Sequence, residues 1–262
     1  MAISLAQLTR ANTPKPPRIL IHGVAGVGKT TLVAAANAPV FIQTEDGLGL
    51  LPVPHFPLAT SFEAVLEALV ALYTEDHDFK TVVVDSVDWL EPLIWAKTCR
   101  DNGWNSIEDA GFGKGYVAAL NLWRQYLDGL NGLRDDRGMT VIQIAHTEIK
   151  RFDSPEHDPY DRYVIKLHAR AAALLQEHSD LVLFANYRIS TVKADVGFNK
   201  KVNRALGSGE RVLHTAERPA FLAKNRFGLP ETLPLDWTAL AQAMPESIQP
   251  MLLPQNLTDP QA

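Results

Sequence analysis

Residues 18–31 read RILIHGVAGVGKTT. Arg18–His22 is a short apolar run of the kind that forms a buried strand, and Lys29–Asn37 has a helical pattern. Between them lie Gly23, Val24, Ala25, Gly26, Val27, Gly28, Lys29 and Thr30, a full match to G-x-x-x-x-G-K-[ST] in the strand–loop–helix setting that the motif requires. Its glycines let backbone N–H groups turn inward around phosphate oxygens. The lysine bridges the β- and γ-phosphates, and the hydroxyl ligates Mg²⁺. The stretch from Gly23 to Thr31 is thus the expected phosphate cradle, with ATP as ligand and Mg²⁺ as its companion.

Outward from this loop, β-rich runs alternate with helical patterns. Val40–Gln43 and Thr81–Asp85 (TVVVD) read as strands, Phe62–Tyr73 and Tyr116–Arg134 as helices, and Met139–Ala145 as the next strand. That alternation predicts an α/β fold with a mostly parallel central sheet and helices on both faces. After a helix at Ala169–His178 come four strand candidates: Asp180–Ala185, Ile189–Ala194, Arg211–Thr215 and Ala220–Ala223. They predict a C-terminal antiparallel extension of the same sheet. The organisation expected is an N-terminal arm over 1–17, a core over 18–230 and a proline-rich tail over 231–262 with one short helix near Thr238–Met244.

A phosphate loop needs an acidic partner at the end of a neighbouring strand to hold the water shell of the metal. Asp85 closes its strand in that place and is the second metal residue beside Thr30, although Asp-Ser also opens helices. Asp88, one turn further on, is the second candidate. Hydrolysis also needs a group that orients water. Glu45, just past Val40–Gln43, could reach the γ-phosphate, although as pattern alone it fits a solvated loop better.

The chain has 262 residues and a net charge of −5, which argues against a polybasic nucleic-acid binder but leaves room for a basic groove. Nine basic side chains against three acids in residues 188–226 make a local excess of six, with Lys200, Lys201 and Arg204 at a glycine-flanked turn. A lone cysteine, Cys99, excludes an intrachain disulfide. With no signal-peptide core and no long apolar run, a cytoplasmic protein without membrane contact is expected.

Four blocks in order resemble the RecA-type recombinases, in particular the compact RecA-like P-loop ATPases of bacteriophages that act in single-strand annealing and recombination. PheIleGlnThrGlu45 resembles the strand of the catalytic glutamate, and ValValValAsp85SerVal the magnesium strand. ThrValIleGlnIleAlaHis146 is similar to the strand ending in the γ-phosphate sensor. AlaLys224AsnArg226PheGlyLeuPro resembles the segment whose cations reach a neighbouring subunit's ATP site. The resemblance spans Arg18 to Pro230 and implies a catalytic set of Lys29, Glu45, His146, Lys224 and Arg226. It departs from the family at His146, where an amide is usual, at Arg226 in place of lysine, and in having no large C-terminal domain.

The resemblance also implies single-stranded DNA and further copies of the chain, in a ring or filament, as partners. A single-strand-binding protein is a further implied partner, and the compartment implied is a bacterial host cytoplasm. The counterparts of the DNA loops are Arg100–Tyr116, with Arg100 and Lys114, and Thr147–His168, with Lys150, Arg151 and Arg162. In residues 146–170 five bases face five acids, and the aromatics fit packing as well as base stacking. The function expected is a DNA-stimulated ATPase that oligomerises on single strands. The alternatives are a nucleotide-gated annealing protein with little turnover, and a helicase loader, remodeller or small-molecule kinase.

Overall fold

The computed structural model describes residues 13–154, 158–195 and 201–254, with backbone alone at 189–195 and 201–208. In chain order the elements are β1 Arg18–Gly23, α1 Lys29–Ala34, β2 Pro39–Gln43, α2 Phe62–Thr74, β3 Thr81–Asp85, α3 Val87–Asn102, α4 Lys114–Asp135, β4 Thr140–Phe152, β5 Tyr160–Ile165, α5 Ala169–His178, β6 Leu181–Asp195, β7 Lys201–His214, β8 Lys224–Asn225, β9 Thr232–Pro234, α6 Trp237–Ala243 and α7 Gln249–Leu252. The main sheet runs β2-β3-β4-β1-β6-β7-β9, with β5 added to β4 and β8 to β6. β2, β3, β4, β1 and β6 are mutually parallel, and β5, β7, β8 and β9 join antiparallel.

Strand alternation divides the core into two layers. On β1, Leu20 packs with Phe62, Leu90, Trp123 and Leu175 of α2 to α5, whereas Ile19 and Ile21 pack with Leu32 and Val33 of α1. The second layer also holds Trp237, Leu240, Met244 and Leu252, and the Trp237 indole N–H donates to Leu252 O at 2.9 Å. Residues 231–254 are therefore packed core elements, not the tail expected from their prolines. The residues after 254 lie outside the described set.

Three other differences bear on function. The strand expected at Met139–Ala145 continues to Phe152 and pairs with β5, so the segment read as a loop over Thr147–His168 is a hairpin. The two candidates Asp180–Ala185 and Ile189–Ala194 form one strand, β6, bulged at Tyr187/Ile189. Its pairing with β1 stops at Ala185, while its pairing with β7 runs on to Asp195↔Lys201. That leaves a two-stranded ribbon of about 33 Å beyond the sheet, at roughly 3.3 Å per residue. Finally, Ala220–Ala223 is not a ladder strand. Phe221 makes single bridges to Tyr163 and Arg218, and the short pairing falls at Lys224–Asn225.

Candidate nucleotide-binding site

The site lies at the carboxyl ends of the parallel strands, where open α/β sheets bind ligands. β1 delivers Gly23, where a Cβ would lie 2.3 Å from Ala185 O on β6, so only glycine lets the loop leave the sheet there. Gly28, at φ 102°, turns the chain into α1 in a conformation that L side chains rarely adopt. Lys29 is buried and folds back on the loop, with Nζ donating to Gly23 O at 3.0 Å and Val24 O at 3.2 Å. Burial lowers its pKa, against the opposing pull of Asp85, Asp88 and Glu45.

Thr30 Oγ1 donates to Asp85 Oδ2 at 2.8 Å. Burial is the main reason that Asp85 is raised to about 6. A carboxylate hidden from water, touching a threonine hydroxyl and close to Lys29, suits a hard cation with oxygen ligands. Thr30 and Asp85 therefore fit Mg²⁺, and the raised pKa marks a charge that such a cation would relieve. Thr44 fixes the adjacent strand end. Its N–H donates to Asp85 O at 2.9 Å, and its hydroxyl links to Ser86 O at 2.6 Å and Ser86 N at 2.9 Å. Glu45 follows directly and lines the same cleft.

That cleft, of about 410 Å³, is lined by Gly26, Gly28, Lys29, Thr30, Thr31, Glu45, Asp85 and His146, and by Gly47, Leu48 and Leu51 of the loop after Glu45. His146 ends the buried part of β4. Its backbone N–H donates to Asp88 Oδ1 at 2.9 Å, its ring Nδ1 lies 3.0 Å from Asp88 Oδ2, and Glu45 is 3.9 Å away. Hydrogen bonding to Asp88 raises the imidazole above its usual value. Burial pushes Asp88 upward, but the bonds from His146 outweigh it and hold the carboxyl low. With Nδ1 committed, Nε2 is the ring atom open to a ligand.

The structure brings together Lys29, Thr30, Glu45, Asp85 and His146, and it sets Lys224 and Arg226 apart from them. β8 pairs with the amino end of β6, at the opposite end of the sheet from the phosphate loop. There Lys224 Nζ donates to Gln176 O, Glu177 O and Ser179 O at 2.7, 3.2 and 2.7 Å, capping the end of α5. Arg226 pairs with Asp180 at 3.0 Å, which Arg18 also holds at 3.0 Å. Neither cation reaches the ATP site of its own chain.

The DNA-contact candidates are dispersed. Arg100 pairs with Glu63 at 2.6 Å, Lys150 with Glu148 at 2.8 Å and Arg151 with Asp153 at 3.4 Å. Lys114 is exposed at the start of α4. Arg162 does not face solvent as expected. Its side chain is 8% exposed, bonded to Glu217 at 2.7 Å and stacked 5.0 Å over Phe152, because the hairpin turns that face inward. Lys200 lies outside the described residues, and Lys201 and Arg204 are described only as backbone of β7.

Two further residues meet the cleft through contacts that no motif marks. Asp88, the second metal candidate, holds both the backbone and the ring of His146. Arg211, one basic residue among nine, extends from β7 to the phosphate loop, with Nη1 donating to Val27 O at 3.3 Å.

A P-loop between β1 and α1, an acid on the neighbouring β3 and a polar end on β4 between them define a RecA-like P-loop nucleotide-binding ATPase. The family model described as AAA domain matches residues 15–227, and the chain belongs to that family. Among solved structures, that of the RadB recombinase is similar at 18% identity, with a TM-score of 0.42, over 80% of this chain and 86% of that one. No curated protein matches. Among the described residues, no helix is long and apolar enough to cross a membrane.

Proposed function

We propose that this protein is an ATPase that assembles head to tail on single-stranded DNA and hydrolyses ATP between subunits, in strand annealing or recombination. One observation carries the assembly: Lys224 and Arg226 lie at the far end of the sheet from the cleft of their own chain. Two catalytic-type cations at one end and an acid-lined nucleotide cleft at the other are complementary surfaces for a second copy.

In such an interface, Lys29 neutralises charge on the β- and γ-phosphates. His146 donates from Nε2 to the γ-phosphate while Asp88 holds its Nδ1–H. Glu45 orients the attacking water. Mg²⁺ held through Thr30 and Asp85 would supply charge neutralisation between the β- and γ-phosphates. Lys224 and Arg226 of the adjacent copy stabilise charge that develops on the leaving group.

The β4–β5 hairpin and the loop between α3 and α4 meet at the same end of the sheet. Tyr116 stacks on His168 with ring centroids 4.0 Å apart, and Phe112 stands fully exposed on that loop. The exposed Phe112, two residues before the exposed Lys114, suits an unstacked base. The deciding measurement is ATPase rate with and without single-stranded DNA across a salt series. Stimulation that falls steeply with salt supports the proposal, since phosphate contacts release counterions. Turnover indifferent to DNA points instead to a loader or remodelling ATPase.

A further inference from the structure

We infer that Arg211 is a nucleotide-binding residue, supplied in cis by β7, that contacts the nucleotide on the side away from its γ-phosphate. The inference rests on the reading of Gly23–Thr31 as an ATP cradle and extends it to a residue outside the motif.

The strand registers place the side chain. Gly23 of β1 lies beside Ala185 of β6, Ala185 lies opposite Leu213 of β7, and Tyr187 lies opposite Arg211. Arg211 is thus one two-residue step beyond the level at which the phosphate loop leaves the sheet. Residues i and i+2 of a strand share a face. Leu213 packs in the layer that holds Val27, Leu32 and Val33, so Arg211 extends over the loop and the start of α1. Its Nη1 donates to Val27 O at 3.3 Å, and a Cβ built on Gly28 would lie 2.6 Å from that nitrogen. The guanidinium therefore rests against Gly28, the glycine that turns the loop into α1.

Its chemistry there is incomplete. Arg211 makes no ion pair with a described residue, while the neighbouring Arg188 is paired to Glu210 at 2.7 Å. A guanidinium carries five N–H donors in a planar fork, and one long bond to a carbonyl uses little of that capacity. It also sits beside a loop that already holds the Lys29 ammonium. Lys29 has Asp85, Asp88 and Glu45 to answer its charge, whereas the Arg211 guanidinium has no carboxylate partner among the described residues, and a phosphate oxygen is the anion such a loop binds.

Direction follows from the strand order. The groups that meet the γ-phosphate in the proposed reaction, Glu45, Asp85 and His146, come from the ends of β2, β3 and β4, all on one side of β1. β7 lies on the other side. A nucleotide with its γ-phosphate towards Asp85 carries its α-phosphate and ribose towards Arg211. The residue should therefore serve ADP and ATP alike.

The test is equilibrium binding of ADP and of a non-hydrolysable ATP analogue to the wild-type chain and to Arg211→Ala, Arg211→Gln and Lys29→Ala. Arg211→Gln keeps an amide that can bond Val27 O and removes the charge, which separates phosphate contact from propping of the loop. Loss of one charge-assisted hydrogen bond predicts about ten- to hundredfold weaker binding of both nucleotides for Arg211→Ala and Arg211→Gln. Wild-type affinity in Arg211→Gln overturns the inference, as does a loss confined to the ATP analogue. If the wild-type chain binds neither nucleotide, or Lys29→Ala binds both as well as wild type, the ATP-cradle reading fails first and the inference falls with it. Arg211→Gln, the less disruptive change, decides the matter if Arg211→Ala does not fold.

Discussion

Asp88 accepts the backbone N–H of His146 through Oδ1 at 2.9 Å and faces its ring Nδ1 through Oδ2 at 3.0 Å. One carboxylate thus sets both the position of the strand end and the protonation of the ring. In the proposed role of γ-phosphate sensor His146 must donate, and with Nδ1–H spent on Asp88 only an imidazolium can donate from Nε2. Hydrogen bonding to Asp88 raises the His146 pKa, so the cation is fully present below the ordinary imidazole value of about 6.5 and is lost as pH rises through the raised value. ATPase activity is therefore expected to have an alkaline limb. Asp88→Asn shifts that limb to lower pH, and His146→Gln, whose amide donates at every pH, removes it. A pH–rate profile for the three proteins checks this, and an unmoved limb in Asp88→Asn counts against the pair.

Asp85 carries a cost to the fold that the proposed metal site would explain. Burial raises its pKa from 3.8 to about 6, so at neutral pH the chain folds against the ionisation of a hidden carboxylate. The penalty grows from about pH 4, is complete above about pH 6, and is on the order of 2–3 kcal/mol. Asp85→Asn keeps an acceptor for Thr30 Oγ1 and removes the charge. It is expected to melt roughly 5 °C higher than wild type at pH 7.5 without Mg²⁺, to lose that advantage near pH 4, and to hydrolyse no ATP. Melting curves at the two pH values decide it.

The opposite pH dependence comes from His22. It lies fully buried at the end of β1, where its Nε2 donates to Leu222 O at 2.9 Å. Burial is the first reason that its pKa falls to about 4. A depressed histidine contributes stability that is complete above about 6.5 and is lost as pH falls towards 4, here about 3 kcal/mol. His22→Gln retains a donor for Leu222 O. Its stability should change less between pH 7 and pH 4.5 than that of wild type, as read from urea midpoints.

Much of this architecture is legible in residue patterns, and the exceptions share a cause. Thr81–Asp85 and Ala169–His178 match β3 and α5 residue for residue because buried β-branched runs and helical spacing leave one reading. The outer half of β4 and all of β5 form a two-stranded hairpin rich in charge, which carries no apolar run to mark it. At the C-terminal end the short helix expected near Thr238–Met244 is α6, but the prolines point to a tail, although Trp237, Leu240, Ala241 and Met244 keep helical i, i+3, i+4, i+7 spacing and are all buried in the core. Of the cleft residues, Lys29, Thr30 and Asp85 follow from local motifs, whereas Glu45 and His146 are implied only by the family resemblance. The contacts of Asp88 and Arg211 join strands and helices brought together only by folding. For Arg211 the available signal was its i+2 relation to the apolar Leu213.

Lys224 offers the sharpest test of assembly because it already has a structural role. Its three bonds to the last carbonyls of α5 predict that Lys224→Ala loosens that helix end at a cost of about 1–2 kcal/mol, so lost activity alone would not separate a finger from a prop. Mixing does separate them. In Lys224→Ala/Arg226→Ala the phosphate loop is intact and the far end is disabled, while in Lys29→Ala the reverse holds. Each should be inactive alone on single-stranded DNA. When mixed, interfaces that join the intact loop of one to the intact cations of the other should restore about a quarter of the wild-type rate, on random assembly of equal amounts. ATP binding by the double variant should stay near wild type throughout. A mixture no more active than its parts would place Lys224 and Arg226 in the scaffold of α5 and Asp180, and would remove them from the chemistry of the neighbouring site.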